Sequence, residues 1–308
     1  NADDSLLLAR LSPSLPTPAD ADRSARALAC LVYTSGSSGE PKGVRITHRN
    51  IAAMSDAFGR TQGINAGSRV AQMVSPAFDV ALSDIFCAWS RGACLCLLDP
   101  ADSLPGKAMV SGLTRLGVTH WNLPPSLLAE CPGAPWPELE TIAVGGEPPA
   151  HDVLARWYPA RVISAYGLTE ATVASTAEAF VLGQKPEIGT PLPGTRVAIV
   201  DDAGQPVPIG VAGQMAITGP QVADGYHRRP ALTTARFVPE PDGAVLRTGD
   251  RARWRADGRI EFLGRLDRQL KFHGYRIEPG EIEAAARGHA GIDQAFVTVR
   301  PHGTGDRL

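Results

Sequence analysis

The chain has 308 residues, enough for one large domain or two of ordinary size, and its 44% apolar and 20% charged content is that of a globular protein. A formal net charge of −2 leaves no electrostatic footprint for nucleic acid or an anionic membrane surface. The longest apolar stretches, such as 93–98, are too short to span a bilayer, and no basic region followed by an apolar run marks a secretory signal. Five cysteines (Cys30, Cys87, Cys94, Cys96, Cys131) are scattered without a CxxC pair. Cys94 and Cys96 share one face of an expected strand and read as small buried apolar groups. The seven histidines show no metal-ligand spacing, and a reducing cytoplasm is the expected compartment.

Residues 1–27, rich in Ala, Asp, Pro and Ser, read as a loop or linker. Apolar runs at 27–32, 70–74, 94–98, 118–121, 141–144 and 162–165 read as strands. Amphipathic stretches at 48–58, 82–89, 108–116 and 151–157 read as helices between them. That alternation predicts a mostly parallel α/β sheet. After Gly183 the texture changes to short runs broken by Pro and Gly. The runs at 195–200 and 214–218, with a turn at 201–204, predict a small antiparallel β-barrel. Residues 251–255 and 259–263 flank Asp257-Gly258 and form a hairpin. A strand is expected at 270–277, then a helix at 281–287 with Pro279 and acidic residues at its start.

The most informative run is Tyr33-Thr34-Ser35-Gly36-Ser37-Ser38-Gly39-Glu40-Pro41-Lys42-Gly43. Hydroxyls and amides of Gly-flanked serines can surround phosphate oxygens, and a lysine adds a point charge. Gly36 and Gly39 let the main chain approach a ligand closely. The GxxxxGK[ST] spacing is absent, which sets aside a Walker-type loop and a kinase. A flexible Ser/Gly linker is the plain alternative, but it does not explain Pro41-Lys42-Gly43 after a buried strand.

This run resembles the nucleotide loop of the adenylate-forming superfamily: peptide-synthetase adenylation domains, acyl-CoA synthetases and luciferases. Further segments match in the same order: Ala165-Tyr166-Gly167-Leu168-Thr169-Glu170, then 213–226, then Arg247-Thr248-Gly249-Asp250, then 264–283. The chain is similar to the central part of a nonribosomal peptide synthetase adenylation domain, truncated at both ends. The resemblance implies an AMP-binding-enzyme α/β fold. Its large unit would be 1–266, with the sheet in 27–182 and the barrel in 183–266, and a small C-terminal subdomain would begin at 267–308.

It also implies ATP and Mg²⁺ as cofactors. Thr34, Ser35, Ser37, Ser38 and Lys42 would hold the β- and γ-phosphates, and Tyr166 would stack on adenine. Thr169 and Glu170 would be the catalytic pair at a strand end, with Glu170 a Mg²⁺ ligand. Asp250 would accept from both ribose hydroxyls, and Arg265 would steady the ribose or phosphate side. Read without the resemblance, the plain alternatives are a core tyrosine at a strand end for Tyr166, and an exposed turn ion pair for Asp250 and Arg265. Ser164 and Leu168 depart from the family, which has Asn and Pro there; the shorter Ser164 weakens the expected bond to the adenine edge beside Ala165.

Ser75-Pro76-Ala77-Phe78-Asp79 resembles the segment whose aspartate pairs with a substrate α-amino group; the plain alternative for Asp79 is a helix N-cap. The resemblance places Val80, Ser83, Asn122 and Ala143 in the substrate pocket, with Gly145, Ala165, Val173 and Ala174. Most are small and none of these eight is charged, so a roomy pocket for a large neutral side chain is expected. Asp267 would be the hinge for the C-terminal subdomain, against an ordinary loop aspartate. The implied product is an aminoacyl-AMP passed to a carrier-protein phosphopantetheine thiol, with an MbtH-like helper as a further partner. An acyl-CoA or aryl-acid ligase, and a non-catalytic scaffold that binds a carrier or helper, are the competing readings.

Overall fold

The computed structural model describes residues 24–307 apart from 37–39, 134, 242, 273–274 and 303–304. Ser37, Ser38, Gly274 and most of the expected linker therefore lie outside the described residues. Strand β1 (Leu28–Thr34) pairs antiparallel with β2 (Lys42–Thr47) in a sheet of their own. The run at 27–32 is thus not part of the parallel sheet as expected. Residues 35–41 are too few for a parallel crossover, which takes a dozen or more, so the chain turns back as a hairpin.

The parallel sheet begins with β3 (Arg69–Gln72) and β4 (Cys94–Leu97) and continues through β5 (His120–Leu123), β6 (Thr141–Gly145) and β7 (Arg161–Tyr166). Their order is β4-β3-β5-β6-β7, and β8 (Thr176–Ala179) and β9 (Thr190–Pro191) extend it antiparallel. Helix α1 (His48–Gln62) leads into β3, and the crossover helices are α2 (Val80–Ser90), α3 (Lys107–Arg115), α4 (Pro125–Glu130) and α5 (His151–Ala155). One side of the sheet packs on Trp121, Trp136 and Trp157, whose ring centres lie 5.6–6.5 Å apart. The other packs on Met54, Phe58 and Cys87. With both faces covered, the carboxyl ends of β5, β6 and β7 are left as the place for a ligand.

The expected barrel is an open sheet. Strands β10 (Arg196–Val200), β11 (Gly213–Thr218), β12 (Phe237–Glu240), β13 (Gly243–Trp254) and β14 (Ile260–Arg265) are all antiparallel, in the order β10-β11-β13-β12. The long β13 carries β12 and then β14 along its length, and among the described strands β10 pairs with β11 alone. Closure would need β10 to reach the far edge. The strand expected at 270–277 is likewise two short ones, β15 (Leu270–Phe272) and β16 (Tyr275–Ile277), paired antiparallel. Helix α6 (Pro230–Arg236) precedes β12, and α7 (Pro279–Arg287) starts with proline in its first turn as expected. Among the described residues no helix is long and apolar enough to cross a membrane.

A buried polar side chain ties α1 to the loop after β11. Thr47 and Asn50 form a capping box at the start of α1, with the Thr47 amide donating to Asn50 Oδ1 at 2.8 Å. Asn50 Nδ2 also donates to the carbonyls of Pro220 and Val222, at 2.8 and 2.9 Å. Thr47→Ala should lower stability by about 1 kcal/mol, the usual loss of a cap. Asn50→Ala should lower it by about 3 kcal/mol, because it strands several buried groups. Urea unfolding ranks the two, and equal losses would contradict the bridging role of Asn50.

Candidate active site

A cavity of about 570 Å³ opens at the carboxyl ends of the parallel strands. All nine residues expected around a substrate line it. Asp79, Val80 and Ser83 come from the start of α2; Asn122, Ala143, Gly145 and Ala165 come from β5, β6 and β7. Val173 and Ala174 close the wall from a tight loop. In that loop Thr172 and Val173 have φ of +52° and +74°, a strained region for β-branched residues. The loop lies so close to Gly167 that a Cβ there would sit 1.9 Å from the Val173 carbonyl.

Asp79 occupies the N-cap position of α2 but makes no side-chain capping bond. It lines the cavity together with Thr169. Burial pushes its pKa up, and the neighbouring Thr169 side chain and the Val80 amide at the start of α2 oppose that. Asn122 is partly committed, because its Nδ2 donates to Asp84 Oδ1 at 2.7 Å. Burial holds the Asp84 carboxyl well above the ordinary carboxylate range.

Beside the cavity lies a charged cluster built on Glu170, which is 2% exposed. Arg276 Nη1 donates to both of its oxygens, at 3.0 Å (Oε1) and 2.8 Å (Oε2). Tyr226 Oη donates to Oε1 at 2.7 Å, and Lys42 Nζ stands 3.6 Å from the same oxygen. Burial alone would raise the Glu170 pKa; Arg276, Lys42 and the Tyr226 bond outweigh it and hold the carboxyl well below the ordinary range. Lys42 is itself pushed down by burial, against the pull of Glu170. Strand β2 fixes Lys42, and hydrogen bonds from the Arg45 amide to the Gly225 carbonyl and from the His227 amide to the Gly43 carbonyl fix Tyr226 beside it.

A second cluster lies on β13 and β14. Thr248 Oγ1 donates to the Met215 carbonyl and accepts from the Asp250 amide at 3.0 Å. Gly249, at φ +75°, leaves space that a Cβ would take from Arg236 and Arg265. Asp250 is 1% exposed; it accepts from Tyr166 Oη on one oxygen and from Arg265 Nη1 at 2.7 Å on the other. Asp250 is buried and Arg265 is largely covered, which removes the reading as an exposed turn ion pair. Arg265 also donates to both oxygens of Asp267, at 2.9 and 2.6 Å, and Arg236 lies 3.6 Å away.

Of the expected phosphate-loop residues, Thr34 has a buried Oγ1 with no partner, and Ser35 Oγ donates to the Arg276 carbonyl at 2.8 Å. Ser164 is set apart: it lines a small crevice with Glu178 and Arg259 rather than the large cavity. Tyr226, Lys271 and Arg276 carry no role in the sequence reading. All three lie within the matched segments 213–226 and 264–283, which was the available signal.

A model of the AMP-binding enzyme family matches residues 2–227, and the chain belongs to that family. A component of the linear gramicidin synthase of Brevibacillus parabrevis is 43% identical over 286 residues, covering 91% of this chain and 4% of that protein. Phosphinothricin tripeptide synthetase PhsC of Streptomyces viridochromogenes is 37% identical over 305 residues, covering 96% of this chain and 27% of its own length. Among solved structures, the Vibrio cholerae adenylation domain AlmE in complex with glycyl-adenosine-5'-phosphate superposes with a TM-score of 0.83 at 26% identity, over 92% of this chain and 56% of AlmE. An NRPS protein containing adenylation and PCP domains, bound to a vinylsulfonamide inhibitor, gives 0.84 at 27% identity, over 96% of this chain and 54% of its own. The chain thus spans only part of each relative.

The Glu170 cluster has a pH signature. Its depressed folded-state pKa means that its contribution is present above the unfolded value of about 4.3 and is lost as pH falls through the folded value. Glu170→Gln leaves two buried cations unopposed and should lower stability at pH 7 by about 3–5 kcal/mol. It should also flatten the acid limb of the stability–pH curve. An unchanged acid limb in chemical unfolding from pH 7 to pH 3 would contradict this assignment.

Proposed function

We propose that the chain is the central part of an amino-acid-activating adenylation domain of a nonribosomal peptide synthetase. The observation that carries this reading is Asp79, a carboxylate on the wall of an otherwise largely apolar cavity, close to Thr169 and Glu170. Such a group suits a substrate ammonium, which a fatty or aryl acid lacks. The AlmE likeness supports an aminoacyl-adenylate product, and the NRPS protein with its PCP domain supports a carrier-protein partner.

In this reading a substrate carboxylate oxygen attacks the α-phosphorus of ATP, the bond to the bridging oxygen breaks, and pyrophosphate leaves. Thr34 and Ser35, with Ser37, Ser38 and Lys42, hold the triphosphate. The partnerless Thr34 Oγ1 fits a phosphate oxygen. Tyr166 takes the base and Asp250 the ribose, with Arg265 holding Asp250 in place. Mg²⁺ would supply charge neutralisation on the phosphates. Glu170, a hard oxygen donor kept ionised, fits it: Mg²⁺ needs only one or two carboxylates beside phosphates and water. Positioning and charge complementarity are the chain's own contribution to rate.

The segment from 267 onward acts as a separate subdomain, with Asp267 as its hinge. Arg265 and Arg236 both hold that carboxylate, so the hinge is tied to the same arginine as the ribose acceptor. The cavity volume and its small wall residues favour a large neutral amino-acid side chain.

ATP–pyrophosphate exchange by the full-length protein tests the reading. Exchange should depend on a large neutral amino acid, and exchange driven equally by fatty or aryl acids would overturn it. Asp79→Ala should lower kcat/KM for the amino acid more than a hundredfold, since an unpaired buried ammonium costs about 3–5 kcal/mol. A des-amino analogue should be nearly unaffected. The raised pKa of Asp79 adds a pH test. As pH falls through it, the anion is lost, so kcat/KM should drop for the amino acid but not for the analogue.

A further inference from the structure

Two oxygens behind the cavity wall are buried without partners. Asn122 lines the cavity from β5, and its Nδ2 donates to Asp84 Oδ1 at 2.7 Å. The remaining oxygen of each side chain, Asn122 Oδ1 and Asp84 Oδ2, is buried and has no hydrogen-bond partner. Asp84 is fully buried in α2, one residue past the cavity residue Ser83.

Two side chains already joined by one bond would each strand an acceptor, and a stranded buried acceptor is costly. A proton on Asp84 removes both losses. A neutral carboxyl has one O–H donor besides its acceptor oxygen, so Oδ2–H can close a second bond to Asn122 Oδ1. The surroundings favour that form. Burial raises the Asp84 pKa and only the Asn122 bond opposes it, with no cation nearby among the described residues. The titratable group that feels Asp84 is the buried Cys87 thiol on α2, pushed up by burial and then by Asp84. From α1 the neutral Met54 Sδ faces that thiol at 4.0 Å.

We propose that Asp84 is a positioning residue for the substrate cavity, a neutral carboxyl whose O–H takes the Asn122 carbonyl oxygen and fixes the amide. With Oδ1 taken and one N–H spent, Asn122 keeps a single N–H for a ligand. At that point the wall offers a donor and no acceptor. The substrate side chain that meets it is therefore apolar or carries an acceptor. Side chains that can only donate, those of Lys, Arg and Trp, find no partner at Asn122. This selection rests on the proposed amino-acid activation in the cavity, whereas the Asp84–Asn122 pairing stands on its own geometry.

Two measurements on the full-length protein test the proposal. The first is urea unfolding of the unmodified protein and of Asp84→Asn from pH 5 to pH 7. A carboxyl kept neutral in the folded state takes up a proton on folding, because its unfolded pKa is about 3.9. Its raised folded pKa therefore favours folding at low pH, and that advantage is lost as pH rises. The replacement amide makes the same two bonds without a proton. The folding constant of Asp84→Asn divided by that of the unmodified protein should rise about tenfold per pH unit. A ratio independent of pH means an ionised Asp84 and overturns the pairing.

The second is ATP–pyrophosphate exchange over an amino-acid panel. Asp84→Asn should keep the order of kcat/KM found for the unmodified protein. Asp84→Leu, which frees the amide to turn its oxygen to the cavity, should raise kcat/KM for tryptophan relative to the best substrate about tenfold, one hydrogen bond's worth. The selection is overturned if lysine, arginine or tryptophan is the best substrate, or if both variants shift the order alike. Should Asp84→Leu not fold, the pH ratio and the panel on the unmodified protein still decide. Exchange with no amino acid at all overturns the proposed function and the selection with it, while the pH ratio still judges the pairing.

Discussion

A carboxylate buried as deeply as Glu170 must be compensated, and its compensation organises the molecule. The three groups that face it come from distant parts of the chain: Lys42 on β2, Tyr226 after β11 and Arg276 on β16. Isolated charges in a protein interior are costly, so each of these segments is held where its side chain reaches Glu170. The β1–β2 hairpin, the second sheet and the C-terminal hairpin therefore meet at the end of β7.

The Asp250 cluster repeats the principle a short distance away. Asp250 is held by Tyr166 and Arg265, and Arg265 passes on to Asp267. The two clusters lie beside a cavity whose inner wall is mostly small and apolar, so polarity is concentrated where charge would develop during adenylation. Asp79 stands between these regimes, with its carboxylate raised in pKa by burial and steadied by Thr169. Across the site, carboxylates of the same chemistry differ in ionisation because their neighbours differ.

Much of this was legible in residues. Period and punctuation identify the parallel sheet, and the nine positions expected around a substrate converge on one cavity because each lies at a strand end, a helix start or the tight loop after β7. Other features depend on partners that a linear reading does not see. The pairing of β1 with β2 follows from the short loop between them, but the apolar run at 27–32 is the same whether its partner is parallel or antiparallel. Barrel closure depends on whether β10 pairs with the far edge of the sheet, and no local pattern carries that. Tyr226 and Arg276 escape because a tyrosine and an arginine in β-rich segments look like any others until the fold brings them to Glu170. Ser164 shows the converse: a motif position can lie one strand residue from the cavity and still face a different crevice.

The central claim is that Glu170 and Arg276 form an energetically coupled pair joining the C-terminal hairpin to the rest of the fold. A double-mutant cycle with Glu170→Gln, Arg276→Gln and the double variant, read by urea unfolding, measures it directly. The account predicts a coupling of about 1.5–3 kcal/mol, with the double variant more stable than Glu170→Gln alone. Strictly additive losses would contradict it.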